Sequence, residues 1–364
     1  MASIANTSAG SGAGGPILDV EHLTTEFRTS RGLLRAVDDV SFTLDRGETL
    51  GIVGESGSGK SVLVRSIMNI LPRTANITGS VKFEGRNVGT LPKAEQRHFW
   101  GTQMAMVFQD PMTSLNPVKR VGRQITDPLR FHLKISREQA NSRALELLRL
   151  VGIPEPERRL RQFPHELSGG MRQRIGIAIA LACNPKLLIA DEPTTALDVT
   201  VQKQILDLLK GLQRELHMAM ILITHDLGVV AGRADRIAVM YGGSVAETAD
   251  TPVLFRNMKH PYTEALLDSI PRIEHPSHTR LQAISGRPPD MVNPPPGCRF
   301  APRCLYAQEK CTTELPPLVP SNEPGHRFAC YFPVGTAEGM AARDRNREAG
   351  HTGAGLDLTV QVVS

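Results

Sequence analysis

Eight consecutive residues carry the clearest chemistry in this chain: Gly54-Glu55-Ser56-Gly57-Ser58-Gly59-Lys60-Ser61. They fit G-x-x-x-x-G-K-[ST], the spacing of a phosphate-binding loop. Glycines at those places let backbone N–H groups curl around a β-phosphate, and a helix N-terminus behind them adds positive potential. Lys60 can reach the β- and γ-phosphates, and the Ser61 hydroxyl can ligate Mg²⁺. The expected ligand is therefore a nucleoside triphosphate, ATP first, bound with Mg²⁺.

Such a loop needs a strand leading in and a helix leading out. Both are readable: Glu48-Thr49-Leu50-Gly51-Ile52-Val53 is a short buried strand, and a helix runs from Lys60 to about Ile70. A second buried strand, Leu187-Leu188-Ile189-Ala190, ends in Asp191-Glu192, and a third, Met220 to Ile223, precedes His225. A carboxylate at the C-terminal end of a buried strand can hold Mg²⁺ through its water shell. A helix over Gln202 to Leu216 lies between those two strands. Strand-helix-strand alternation with wholly apolar strands predicts a parallel sheet covered on both faces. The segments Leu18–Phe27 and Ala36–Leu44 read as strands joined by a turn at Thr29-Ser30-Arg31-Gly32.

Beyond these elements the pattern marks domains. Residues 117 to 163 carry apolar positions at helical spacing, among them Ala144, Leu147, Leu148 and Val151, and predict a helical subdomain of about 110–170 inserted in the α/β core. Residues 1–16 are Ala-, Ser- and Gly-rich and are expected to be a flexible tail. The core should occupy 17–249, a C-terminal extension 250–335, and a second flexible tail 336–364. The stretch Ile270 to Pro296 reads as a linker or irregular wrap.

Composition narrows the class. The chain has 364 residues, 40% of them hydrophobic and only 4% aromatic, so the core must be mostly aliphatic. Its net charge of +5 is dispersed, too weak an imbalance to argue for nucleic acid. No run of about 18 apolar residues exists to span a membrane. A cytosolic location is expected, where thiols stay reduced. Four of the five cysteines, Cys298, Cys304, Cys311 and Cys330, crowd near the end, with five, six and eighteen residues between successive members. On count alone four thiols suit zinc or an iron–sulfur cluster, and the spacing matches neither the paired C-x₂-C of zinc sites nor the ferredoxin runs. Cys183, on an apolar helix, reads as a small core residue. His98, His132 and His275 read as ordinary surface histidines.

The narrower reading comes from Leu167-Ser168-Gly169-Gly170-Met171-Arg172-Gln173-Arg174 ahead of the Asp191-Glu192 strand. This resembles the ABC-transporter ATPase family over roughly Ile17 to Ala249, with Met171 where the signature usually has Gln. The resemblance implies a P-loop ABC ATPase core in which Glu192 is the general base, Gln109 couples nucleotide to a membrane partner and touches Mg²⁺, and His225 contacts the γ-phosphate. It further implies that Asp191 and Ser61 hold Mg²⁺, that Phe27 stacks on adenine, and that Asp198 crosses a dimer interface. Ser168, Gly169 and Gly170 would close over the ATP of a second subunit, so the working unit is a pair.

Three stretches look like the ATPase subunits of oligopeptide and dipeptide importers: Val107 to Pro117, Asp191 to Gln202, and His260-Pro261-Tyr262-Thr263-Glu264-Ala265-Leu266-Leu267 with the cysteine tail. That branch also includes nickel and glutathione importers. The resemblance implies a [4Fe–4S] cluster on the four late cysteines, with zinc as the alternative. It implies two transmembrane permeases, an extracytoplasmic substrate-binding protein, and a peripheral position on the cytoplasmic face of the cell membrane. A DNA-maintenance ABC ATPase would carry a long coiled-coil or zinc insertion, and a ribosome-associated one two ATPase halves. Neither feature is in the sequence.

Overall fold

The computed structural model describes residues 15–110, 114–195, 197–270, 284, 286–355 and 357–358. Two sheets organise it. The smaller is antiparallel, in the order β2-β1-β4-β5, built from β1 (Leu18–Thr29), β2 (Gly32–Leu44), β4 (Ala75–Phe83) and β5 (Arg86–Asn87). The larger has eight strands, in the order β11-β12-β10-β9-β3-β8-β7-β6. Its centre is parallel: β3 (Thr49–Val53) lies between β8 (Ala219–Thr224) and β9 (Arg236–Tyr241), followed outward from β8 by β7 (Leu187–Asp191) and β6 (Met104–Val107).

Every residue of β3, β7 and β8 is buried. Side chains alternate across a strand, so each strand feeds two cores. Leu50, Ile52, Leu187, Ile189, Ile221 and Ile223 face a layer shared with the antiparallel sheet and with Leu63, Val64 and Ile67 of helix α1 (Lys60–Ile67). Leu188, Ala190, Met220 and Leu222 face the opposite layer, with helices α5 (Gly169–Leu181) and α6 (Val199–Glu215). The expected double covering is present, and it is why these strands lack polar alternation.

Beyond α2 (Lys93–Thr102), the helical subdomain packs α3 (Val121–Leu133) and α4 (Arg137–Leu150) beside α5, burying Val121, Ile125, Leu129, Ala144, Leu147 and Leu148; α7 (Thr251–Asn257) and α8 (Pro261–Asp268) come later in the chain. A capping box starts α4: Ser136 accepts from Gln139 N, and the Gln139 side chain accepts from Ser136 N. Cys183 is buried as expected, its thiol 3.9 Å from the Pro128 carbonyl.

Three features differ from the sequence expectation. The larger sheet is mixed, because β10 (Ser244–Asp250), β12 (Arg327–Phe328) and β11 (Val319–Pro320) continue it antiparallel beyond β9. A tight turn at Gly242-Gly243 reverses the chain there, which an all-parallel reading misses. Through β11 and β12 the extension is also continuous with the core sheet. Its Phe300, Ala301, Tyr306, Ala307 and Phe332 join the main apolar cluster, so it is better packed than its Pro content suggests. Last, residues expected in a flexible tail form helix α9 (Ala337–Ala349), capped by Thr336 accepting from Gly339 N and stopped by Gly350 at φ 74°. Residues 1–14 of the expected 1–16 tail, residues 271–283 and 285 of the Ile270–Pro296 stretch, with His275 among them, Pro111 to Thr113, Ala196, and residues 356 and 359–364 of the expected 336–364 tail lie outside the described residues.

Candidate active site

The phosphate-binding loop joins β3 to α1 and is possible only with glycine at its two ends. Gly54 has φ 158° and a Cβ there would lie 2.2 Å from the Met240 carbonyl oxygen. Gly59, at φ 99°, would put a Cβ 2.4 Å from the Ala36 carbonyl oxygen of β2. Ser58 N donates to Glu55 O at 3.2 Å, closing the loop, while Ser56 and Gly57 are open to solvent. Lys60 is buried and donates to Gly54 O at 2.7 Å and Glu55 O at 2.9 Å. Burial pulls its ammonium below the ordinary range, against the opposing pull of Glu192, Asp191 and Glu55.

At the adjoining strand end, Ser61 Oγ donates to Asp191 Oδ1 at 2.8 Å. Asp191 is completely buried, and burial raises its carboxyl above the usual range. Its Oδ2 is enclosed without a hydrogen-bond partner, with Arg65 no nearer than 3.9 Å. A hydroxyl and an enclosed, under-bonded carboxylate side by side are a donor set suited to a hard divalent cation, and Mg²⁺ fits it.

Glu192 is the convergence point. Its φ of 44° is a left-handed conformation that costs a non-glycine residue on the order of 1–3 kcal/mol. That turn aims the side chain back over the loop. Gln109 Nε2 donates to its Oε2 at 3.1 Å and Thr195 Oγ1 does so at 3.0 Å. His225 Nδ1 lies 3.6 Å from the same oxygen, and Lys60 Nζ lies 3.8 Å from Oε1. His225, then Lys60 and Thr195, hold the Glu192 carboxyl below its usual range against the opposing effect of burial, and Glu192 in turn raises His225.

The structure thus brings together Gly54 to Ser61, Gln109, Asp191, Glu192 and His225. Other candidates stand elsewhere. Ser168 caps α5, accepting from Met171 N at 3.3 Å, and is exposed. Behind it, a Cβ on Gly170 would meet Val201 at 2.8 Å, while Gly169 is half-buried. Asp198 caps α6, accepting from Val201 N at 2.9 Å, and is also exposed. Phe27 is half-buried on β1, in register with Leu34 and Ala75. Sequence reasoning does not single out Thr195, Arg65, Tyr262 or Arg303. Thr195 had a signal, three residues after Glu192 in a turn, whereas nothing in the spacing ties Arg303 to the loop.

The late cysteines also converge. Cys298, Cys304, Cys311 and Cys330 line one cavity of about 10 Å³ with His260, Phe300 and Tyr306. Burial pushes all four thiols above their ordinary range. Among the described residues, however, no three His, Cys, Asp or Glu side chains stand in metal-holding geometry.

Two family profiles match the chain: ABC transporter over residues 37–195, and oligopeptide/dipeptide transporter C-terminal region over residues 246–311. The chain is 53% identical to the oligopeptide transport ATP-binding protein OppD of Bacillus subtilis, over 83% of this chain and 85% of that protein. The chain belongs to the oligopeptide-transport branch of the ABC ATP-binding proteins. It is 46% identical to OppD of Haemophilus influenzae, over 87% of this chain and 97% of that one. The solved dimeric structure of a post-hydrolysis state of an ATP-binding cassette bound to ADP and Pi superposes with a TM-score of 0.58 at 30% identity, over 64% of this chain and 98% of that chain.

Proposed function

We propose that the chain is the ATP-hydrolysing motor subunit of an ABC importer for di- and oligopeptides, at the cytoplasmic face of the membrane. The relatives named for oligopeptide transport support the substrate class. No helix among the described residues is long and apolar enough to cross a membrane, so the transmembrane path would come from partner subunits. Two permeases and an extracytoplasmic binding protein complete the expected assembly.

One observation carries the reading: the Glu192 carboxyl, only 13% exposed, accepts from Gln109 and Thr195 beside Lys60. In this reading Lys60 and the loop amides bind the triphosphate. Ser61 and Asp191, with Gln109, would hold Mg²⁺, which neutralises phosphate charge when bound. Glu192 orients the attacking water and accepts its proton, while His225 steadies Glu192 and faces the γ-phosphate. Ser168, exposed, and Gly170, half-buried, at the start of a 13-residue helix are suited to offering N–H groups to the nucleotide of a second subunit. Asp198 would lie at that seam, and Phe27 would support the adenine.

Glu192→Gln should keep Mg-ATP binding and lose turnover by about 10²-fold or more, the scale of general-base removal. Equilibrium nucleotide binding and phosphate release measured on the same preparation check it. Unimpaired turnover would move the base elsewhere.

The cysteine cavity supports a second reading within the first: Cys298, Cys304, Cys311 and Cys330 hold a [4Fe–4S] cluster. Four thiols on one cavity are the ligand set such a cluster takes. Zinc would use the same four sulfurs drawn about a single ion at about 2.3 Å. When bound, the cluster would cross-link the extension, a structural role distant in kind from hydrolysis.

A further inference from the structure

The extension does more than follow the ATPase core, for it grips the phosphate-binding loop. Arg303 Nη1 donates to Glu55 Oε2 at 2.5 Å and Nη2 donates to Oε1 at 2.9 Å, a two-pronged pair on the residue after Gly54. The same guanidinium donates to Tyr241 Oη at 3.1 Å and to the Ile284 carbonyl at 3.1 Å. Glu55 is held a third way, its N–H donating to Tyr262 Oη at 2.8 Å. Arg303 and Tyr262 are both buried. Their setting is stiff: the rings of Tyr241, Tyr262 and Phe300 lie 4.6 to 5.3 Å apart, centre to centre.

An acid in a phosphate-binding loop is an electrostatic liability, since its charge repels the incoming triphosphate. Here the carboxylate is paired on both oxygens, and so neutralised, by an arginine from a segment 248 residues later. We infer that Arg303 and Tyr262 are positioning residues for nucleotide binding, fixing and neutralising Glu55 so that the loop amides stay open to phosphate. The inference rests on the reading that this loop binds ATP. It also makes ATP affinity a property of the extension: Arg303 ends the turn Ala301–Arg303, and the next residue is Cys304 of the thiol cavity.

The test uses the full chain, with equilibrium Mg-ATP binding and steady-state hydrolysis. Arg303→Met should raise Kd and KM roughly tenfold, the scale of one lost charge-assisted bond, and leave kcat nearly unchanged. Arg303→Lys should recover only part, because an ammonium cannot span both carboxylate oxygens. Adding Glu55→Gln to Arg303→Met should restore affinity, since the unpaired carboxylate is then gone. A purely structural role for Arg303 predicts no such rescue, and its absence would overturn the inference, as would wild-type affinity in Arg303→Met. Should Arg303→Met fail to fold, Tyr262→Phe keeps the ring and should still weaken binding several-fold, with unchanged affinity counting against the inference. Wild-type chain that binds no Mg-ATP would instead remove the functional reading beneath it.

Discussion

Glu192, the proposed general base, concentrates a cost in stability at a single residue. Its backbone is held in a conformation side chains avoid, and three neighbours must agree on one carboxylate oxygen. Asp191 beside it carries a related cost, a buried carboxylate with one oxygen unbonded. Such groups stabilise a ligand complex at the expense of the empty protein. Asp191→Asn should therefore raise the melting temperature of the Mg-free, nucleotide-free chain, by about 2 °C per kcal/mol relieved, while weakening Mg-ATP binding. The sign follows from the raised carboxyl: the folded chain binds that proton more tightly than the unfolded one, so this contribution falls as pH rises above the unfolded value. Asp191→Asn should flatten the slope of stability against pH on that side. A lower melting temperature with unchanged Mg-ATP affinity would contradict the assignment. At this scale the sequence was most informative, because loop, strand end and His225 each sit directly beside an element that period and composition reveal. Arg303 was not legible, since its role depends on a contact between residues far apart in the chain.

Among the elements, the buried strands and the helices beside them were readable from apolar runs and helical spacing. The short strands β11 and β12 were not, because two residues carry no period and gain their order from pairing, β12 with Glu247 and Thr248 of β10 and β11 with β12. Helix α9 was hidden for a different reason. It buries few apolar side chains and is fastened by polar bonds, with Asn346 Nδ2 donating to the carbonyls of Leu305 and Ala307 at 2.9 and 3.0 Å. Gly339 lets it close in, where a Cβ would stand 2.5 Å from the Pro333 oxygen. The cysteine extension is thus clamped between the core sheet and this helix. Anaerobically purified protein should be brown, and Cys304→Ser should bleach it. Because Cys304 directly follows Arg303, which pairs with Glu55 of the loop, Cys304→Ser should also weaken Mg-ATP binding. Colourless protein carrying one zinc per chain would replace the cluster with a single ion, and metal-free protein with an intact extension would remove both.

In the whole molecule, the residues proposed for hydrolysis gather at the loop while Ser168 and Asp198 remain exposed at the starts of two helices. Under the proposed function such a chain is half of a pair that closes on ATP and pulls on membrane partners. The most direct measurement is peptide uptake into vesicles that hold the chain with its co-purified permeases, peptide-binding protein on one side and Mg-ATP on the other. The account predicts accumulation of a labelled oligopeptide with ATP, and none when Glu192→Gln replaces the wild-type chain. Accumulation that persists with Glu192→Gln, or ATP hydrolysis by the intact assembly without peptide movement, would contradict it.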